Sequence, residues 1–225
     1  MMRLSRTTTS LIAAALCLSG CGGGSETPDR ADGSASGDTT TKAEPTKPAA
    51  PEFRVLGKPA LTKALLGVQD LPPGYAQDPP DPNRATNKTF CDYEQPFTEK
   101  NYVSRDFTKG GGLSAELLRV GLRQYANADE AKAAFTALTD ALETCTGETY
   151  QGTQLTYSPM SAPKVGDGAV GIKITADDTV LLQNFALVGP TLINTGGGGL
   201  MNANADEVTT LLKAQAKAYE TAASQ

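Results

Sequence analysis

Residues 22–51 contain almost no side chain that can contribute to a hydrophobic core. Most are glycine, serine, threonine, alanine and charged residues, and the last ten are rich in lysine and proline. Burial of such side chains cannot offset the conformational entropy lost on ordering, so a disordered linker is predicted over residues 21–52. As a flexible coil of about thirty residues it would span roughly 30 Å. A folded domain is therefore expected only over residues 53–225.

The first twenty residues have the pattern of a bacterial export signal. Arg3 and Arg6 precede an apolar run at positions 11–18, which is too short for the ~20 residues of a membrane-spanning helix. The run ends in Leu18-Ser19-Gly20-Cys21, which resembles the lipobox of bacterial lipoproteins. We predict a signal peptide over residues 1–20, a diacylglycerol thioether on Cys21, and anchorage at the extracytoplasmic face of the cell membrane. An ordinary signal peptide followed by a cysteine is the alternative.

Two cysteines lie beyond the linker, at Cys91 and Cys145. Cysteines in an exported domain are more often paired than free, so a disulfide between them is predicted. The bridge would close a loop of about 55 residues, for which the chain-entropy model gives a stabilisation on the order of 4 kcal/mol. A pair of free buried thiols is the alternative. Metal binding by two cysteines without any histidine is disfavoured.

The clearest helix is predicted to begin after Asn127, a good N-cap residue followed three positions later by Glu130,. Apolar residues then recur at helical intervals and place Cys145 at the end of the buried stripe. A second amphipathic helix is predicted over about residues 205–221, and a short one over residues 59–68. Residues 116–125 alternate as in a strand, with Leu118, Val120 and Leu122 on one side and Arg119, Gly121 and Arg123 on the other,.

Further strand-like segments occur at residues 102–108, 154–157, 169–175, 180–188 and 191–194, separated by turn signals at Asp177-Asp178 and Gly189-Pro190,. The run Gly196–Gly199 is interpreted as a hinge or turn, because it lacks the Gly-Lys-Ser/Thr of a phosphate-binding loop. The prediction is an α+β domain with a mostly antiparallel sheet of about five strands, flanked by two principal helices and carrying one disulfide.

The composition excludes several functional classes. The chain has no histidine, which removes Ser-His-Asp and Cys-His catalysis and histidine-based metal sites. Its net charge is -5 without a basic run, which argues against nucleic-acid binding. Catalysis by a carboxylate pair remains open, although the adjacent Asp177 and Asp178 are interpreted as a hairpin turn,. We predict no catalytic residues, no metal, no cofactor and no enzymatic activity. Four aromatic residues are candidates for lining a cleft, although core positions are the commoner use: Tyr75, Tyr93, Tyr102 and Phe107.

Several features together resemble one known family. They are Leu65-Leu66 followed by Asp70-Leu71-Pro72-Pro73-Gly74-Tyr75, then Cys91, the alternating strand ending at Tyr125, the helix from Ala131 to Cys145, and the Gly166-Asp167 turn into a strand. This order is similar to the extracellular sensor-type domain of mycobacterial PknH-class kinases and of stand-alone actinobacterial lipoproteins. The resemblance implies helices packed on an antiparallel sheet, with a cleft for an unidentified ligand. No kinase region is present, and the family pattern assigns no binding residues here.

The sequence therefore predicts a membrane-tethered domain that binds or senses a small-molecule, lipid or envelope ligand without catalysis. The alternative is an adaptor for a protein partner in the cell envelope. A deep apolar cleft with convergent polar groups would favour the first, whereas a large exposed apolar patch without a cleft would favour the second.

Overall fold

The computed structural model describes residues 52–80, 90–91, 93–200 and 203–224. Pro48–Gln225 form one compact unit, and it contains every strand, helix and core cluster of the described residues. Such a unit has the core that independent folding requires. The predicted signal peptide, Cys21 and most of the predicted linker lie outside the described residues. No described helix is both long enough and apolar enough to cross a bilayer.

The unit is built on one fully antiparallel sheet of eight strands, in the order β1-β2-β3-β8-β7-β6-β5-β4. The strands are β1 Tyr75–Gln77, β2 Asn101–Lys109, β3 Glu116–Gln124, β4 Gly147–Tyr150, β5 Thr153–Met160, β6 Gly168–Ala176, β7 Thr179–Val188 and β8 Thr191–Leu200. The part of the unit that the structure describes also contains three α-helices: α1 Lys58–Lys63, α2 Ala128–Thr144 and α3 Ala205–Ala223.

The chain path places the last strand at the centre of the sheet. After the β2–β3 hairpin, α2 carries the chain from the middle of the sheet to β4 at the far edge. From β4 to β8 the strands follow one another as a meander, and β8 finally pairs with β3. Residues far apart in sequence therefore become neighbours on the floor of the sheet.

The two faces of the sheet are covered by different helices. One face carries α1 and α3 over the main core, which includes Phe107 of β2, Val120 of β3 and Ile193 of β8. The other face carries α2, whose Leu138 and Leu142 pack against Tyr157 and Ile174. Because side chains alternate along each strand, the register assigns each strand residue to one of these faces.

The cap of α2 explains where that helix begins. The Asn127 side chain accepts a hydrogen bond from the Glu130 amide at 2.9 Å. Two acidic residues, Asp129 and Glu130, lie in the first turn, where they interact favourably with the helix dipole. The predicted start of this helix is confirmed.

A buried glutamine joins α3 to the segment that follows α1. The Gln215 side chain is fully buried; its Oε1 accepts from the Leu66 amide at 3.0 Å, and its Nε2 donates to the Ala64 carbonyl at 2.8 Å. These contacts satisfy two backbone groups at the point where α1 has ended. Buried backbone groups without such partners are costly.

The predicted count of five strands and two principal helices is wrong, because the described residues form an eight-stranded sheet and three α-helices. Strands β1 and β4 have only three and four residues, too few to show an alternating pattern. Both are edge strands, and pairing with a longer neighbour defines them rather than their own sequence. The predicted short helix over residues 59–68 ends as α1 at Lys63.

The interpretation of Gly196–Gly199 as a hinge or turn is also wrong, since these glycines continue β8 to Leu200. The strand crosses a crowded part of the sheet. A Cβ atom on Gly197 would lie 2.7 Å from Val208 Cγ2 on α3 and 2.8 Å from Leu118 Cδ2 on β3. On Gly198 a Cβ atom would overlap the Val180 carbonyl oxygen. Glycine lets the helix and the neighbouring strands approach β8 closely.

Candidate ligand-binding cleft

An open cleft of about 1080 Å³ lies on the sheet face that carries α2. Strands β2 to β8 provide its floor, α2 contributes Leu138 to one side, and residues 93–99, which we term the 93–99 segment, line another side. Pockets for drug-sized ligands usually have volumes of roughly 300–1,000 Å³. The cleft is therefore large enough for a whole small molecule.

The part of the cleft over β5, β6 and β7 is mainly apolar. Phe90 packs edge-to-face against Tyr157, with ring centroids 5.5 Å apart, and against Phe185, with centroids 5.8 Å apart. Ile174 and Leu181 extend this surface across the neighbouring strands. We term this region the apolar half of the cleft.

The part of the cleft over β2, β3 and β8 is polar, and we term it the polar half. Tyr102 lies between two arginines there: Arg119 Nη2 donates to its hydroxyl at 3.4 Å, and Arg123 Cζ lies 5.2 Å from its ring centroid. Strand alternation explains this arrangement, because Arg119 and Arg123 both project to the cleft face of β3, and Tyr102 lies opposite Arg123 on β2,.

A glycine on β3 makes room for an amide in the polar half. Gly121 lies between the two arginines and pairs with Asn194 of β8. A Cβ atom at Gly121 would overlap the Asn194 side-chain oxygen and would lie 3.4 Å from the Tyr102 hydroxyl. The absence of a side chain at this position therefore allows the Asn194 amide to lie beside Tyr102 on the cleft floor.

The 93–99 segment supplies the partners of Arg123. Arg123 Nη1 donates to Gln95 Oε1 and contacts Glu99 Oε2 at 3.4 Å, while Gln95 Nε2 donates to the same Glu99 oxygen at 2.7 Å. Burial opposes ionisation of Glu99, but the hydrogen bond from Gln95 and the charge of Arg123 outweigh it and hold the pKa of Glu99 below its ordinary value. Glu99 is therefore ionised and forms an internal ion pair with Arg123.

Arg119 Nε is a buried donor without a hydrogen-bond partner among the described residues, and the Tyr125 hydroxyl is buried beside Arg123. Tyr125 is fully buried and lines the cleft. Burial raises the pKa of its hydroxyl, and the nearby positive charge of Arg123 opposes this rise. Arg119 Nε lies 3.6 Å from Asp106 Oδ1, which is too long for a hydrogen bond.

Two contacts fix the chain before β2 on the rest of the unit. Cys91 is joined to Cys145, the C-cap residue directly after α2, with their Cα atoms 5.9 Å apart. The Tyr93 hydroxyl donates to the Ala134 carbonyl of α2 at 3.4 Å. Since Phe90 and Tyr93 both line the cleft, these contacts hold part of its wall in place. Formation of the disulfide in the protein stays a prediction, which reduction tests below.

The four aromatic residues singled out from the sequence divide between cleft and core. Tyr93 and Tyr102 line the cleft, whereas Tyr75 and Phe107 belong to the main core with 6% and 0% of their surface exposed. The sequence interpretation assigned no ligand-binding residues and so missed the arginines, Asn194 and Tyr125. The signal for the arginines was present, because the alternation of β3 places both on the side opposite its apolar residues.

The cleft therefore combines an apolar surface with a group of hydrogen-bond donors. Its arginines face carboxylates of the chain itself, Glu99 and Asp106. Within the described residues, no group of three or more cysteine, aspartate or glutamate side chains is arranged to hold a metal ion. The arrangement suits non-covalent binding of a molecule that has both apolar and polar parts.

No protein-family model matches the sequence, and no curated protein matches it. Among solved structures, the extracellular domain of PknH from Mycobacterium tuberculosis is similar, with a TM-score of 0.61 and 9% identity over 75% of this chain and 99% of that chain. A putative uncharacterized protein from Mycobacterium smegmatis, the Rv0999 ortholog, gives a TM-score of 0.37 and 12% identity over 52% of this chain and 64% of that chain. The chain thus shares the fold of the PknH extracellular domain.

Proposed function

We propose that this chain is a membrane-anchored extracytoplasmic lipoprotein whose folded unit binds a small molecule or lipid in the cleft, as a binding or sensing domain without catalysis. The cleft itself is the observation that carries the proposal. Its apolar and polar halves meet on one continuous floor, and its volume of about 1080 Å³ accommodates a whole ligand,. The shared fold with an extracellular domain of a mycobacterial protein is consistent with this role.

A cleft with convergent polar groups is the feature that favours a ligand over a protein partner. An adaptor would instead present its apolar residues as an exposed patch. Here Phe90, Ile174 and Phe185 line the concave cleft, and the Phe90 ring packs edge-to-face on Phe185. The concave arrangement of these apolar residues therefore favours binding of a small molecule or lipid over binding of a protein partner.

An uncharged apolar dye tests whether the cleft binds ligands. N-phenyl-1-naphthylamine is expected to bind the purified Pro48–Gln225 unit with a fluorescence increase and a stoichiometry of one. Leu181→Trp adds bulk to the apolar half and should weaken dye binding about tenfold or more, which corresponds to about 1.4 kcal/mol. Lys173→Trp is the matched control, because Lys173 is exposed on the opposite face of the same sheet. Equal binding by both variants would contradict the cleft as the binding site.

The membrane anchor is tested separately at Cys21. Two acyl chains on a diacylglycerol suffice for stable membrane attachment, so the intact chain should fractionate with membranes in an exporting bacterial host. Cys21→Ala removes the acylated thiol, and the protein should then leave the membrane fraction. Cys17→Ala, which changes the cysteine inside the predicted signal peptide, serves as the control and should leave the distribution unchanged. If Cys21→Ala fractionated with membranes as the wild type does, acylation of Cys21 as the membrane anchor would be contradicted.

A further inference from the structure

The ligand class can be narrowed from the donors of the polar half. The guanidinium groups of Arg119 and Arg123 are the donors that a ligand in the cleft can reach, since these side chains keep 29% and 23% of their surface exposed. The Tyr102 hydroxyl lies beside them, 3.4 Å from Arg119 Nη2. A ligand with negatively charged acceptor atoms at this position would form charge-assisted hydrogen bonds with both arginines.

Glu99 shows which acceptor the polar half can hold. Its carboxylate and the Gln95 amide oxygen both accept hydrogen bonds from Arg123 Nη1. Both residues belong to the 93–99 segment at the cleft wall rather than to the sheet. The side chains of Arg123 and Glu99 keep 23% and 21% of their surface exposed, so a ligand can reach this pair. A ligand oxyanion placed there would exchange with Glu99 on Arg123.

The apolar half determines the rest of the molecule. From β3, which carries the arginines, to β5, which carries the half-buried Leu155, the sheet order crosses four strand spacings. At about 4.8 Å per spacing this is roughly 19 Å. The floor changes over this distance from arginine, tyrosine and asparagine to leucine, isoleucine and aromatic rings. One elongated molecule can therefore contact both halves.

From this arrangement we infer that the cleft takes an anionic amphiphile, with its oxyanion head against Arg119, Arg123 and Tyr102 and its apolar body on the β5–β7 floor. The inference rests on the proposed function, since it names the ligand class of the same cleft. The head takes the place of the Glu99 carboxylate on Arg123, so that each arginine keeps one anionic partner, Asp106 for Arg119 and the head for Arg123. Guanidinium groups bind planar or tetrahedral oxyanions through paired charge-assisted hydrogen bonds.

Two dyes that differ by one anionic group test the inference on the Pro48–Gln225 unit. The first is 8-anilinonaphthalene-1-sulfonate, and the second is N-phenyl-1-naphthylamine, which lacks the sulfonate. The sulfonate dye is expected to bind more tightly than the neutral dye. Arg123→Met should weaken the sulfonate dye about tenfold while changing the neutral dye less than about twofold, because only the charge-assisted contacts are lost. Lys173→Met, a cation removed from the opposite face, should change neither affinity.

Glu99→Gln provides the opposite change and does not depend on the stability of the arginine variants. It removes the internal carboxylate that competes for Arg123, so it should tighten the sulfonate dye several-fold and leave the neutral dye unchanged. Arg119→Met offers a second loss of charge if Arg123→Met does not fold. Competition by decanoate and by decyl phosphate, with decanol as the neutral reference, distinguishes a carboxylate head from a phosphate head.

The outcomes distinguish ligand binding in the cleft from recognition of an anionic head by its polar half. Failure of both dyes to bind would overturn the proposed function together with the inference. Binding of both dyes at a ratio that Arg123→Met, Arg119→Met and Glu99→Gln leave unchanged would overturn the anionic head while the cleft remains a binding site. Competition by decanol equal to that by both anions would likewise overturn the head assignment.

Discussion

Reduction of the Cys91–Cys145 bridge should remove a large part of the stability of the folded unit. The two cysteines are 54 positions apart in sequence. The chain-entropy model assigns a loop of this length a stabilisation of about 4 kcal/mol, because the cross-link restricts the unfolded chain. Folded domains are commonly stable by about 5–15 kcal/mol, so the reduced protein should remain folded with a much smaller margin.

The assay is urea unfolding of the Pro48–Gln225 unit, which contains only these two cysteines. With a denaturant slope of roughly 2 kcal/mol per molar urea, the unfolding midpoint should fall by about 2 M on reduction. Thiol alkylation and mass measurement establish that each sample carries zero or two free thiols. A variant with both cysteines replaced by alanine should not respond to the reductant. Coincident unfolding curves for oxidised and reduced wild-type protein would refute the reasoning.

Three further changes have expected outcomes from the same structure. Gly166→Ala should lower the free energy of unfolding by about 1 kcal/mol or more, because this residue has φ of 58° and a Cβ atom would overlap a backbone carbonyl oxygen,. The control Gly111→Ala has open space around the added Cβ atom and should change the free energy of unfolding in urea by less than about 0.5 kcal/mol,. Gln215→Met should lower the free energy of unfolding by about 1–3 kcal/mol for each of the two buried backbone groups that it leaves unpaired,. The control Lys213→Met changes an exposed residue on the same helix and should have little effect. Similar unfolding midpoints for the two variants would contradict the Gln215 contacts. The pKa of Glu99 in the folded protein lies below its ordinary value of 4.5. Its contribution to stability is therefore fully present above pH 4.5 and is lost as the pH falls through the folded-state pKa. The melting temperature of Glu99→Gln should therefore lie below that of wild type at pH 7 and approach it once the pH falls below the folded-state pKa of Glu99, and a gap independent of pH would contradict this,.

Local sequence signals predicted some elements well, because the physics behind them is local. The start of α2 follows from the Asn127 side chain and the charges of the first turn, which lie within a few residues of one another. The turn at Asp177-Asp178 joins β6 to β7 directly, and Asp177 has φ of 48°, a conformation that aspartate tolerates better than most residues. Neither feature depends on distant parts of the chain.

Long-range packing determined what the sequence interpretation missed. Strands β1 and β4 exist because longer neighbours pair with them. The glycines of β8 are typical of a turn in isolation, and pairing with β3 on one side and β7 on the other makes them a strand. A rule based on residue type cannot include partners that lie far along the chain.

The candidate site shows the same division. Alternation along β3 predicts that Arg119, Gly121 and Arg123 share a face, as observed. What that face contacts depends on β8, which returns to the centre of the sheet and places Asn194 at Gly121. It depends also on the 93–99 segment, whose Glu99 reaches Arg123. The composition of the site was therefore accessible from one strand, but its role as a cleft required the topology.

Native mass spectrometry of the Pro48–Gln225 unit, purified gently from an exporting host, tests the central claim most directly. We expect a reproducible non-covalent adduct on the wild-type protein and on Lys173→Trp, and its loss from Leu181→Trp, whose added bulk occupies the apolar half of the cleft. An adduct retained equally by Leu181→Trp would contradict binding in the cleft. Protein without any adduct, which also fails to bind N-phenyl-1-naphthylamine, would contradict a ligand-binding function for this domain.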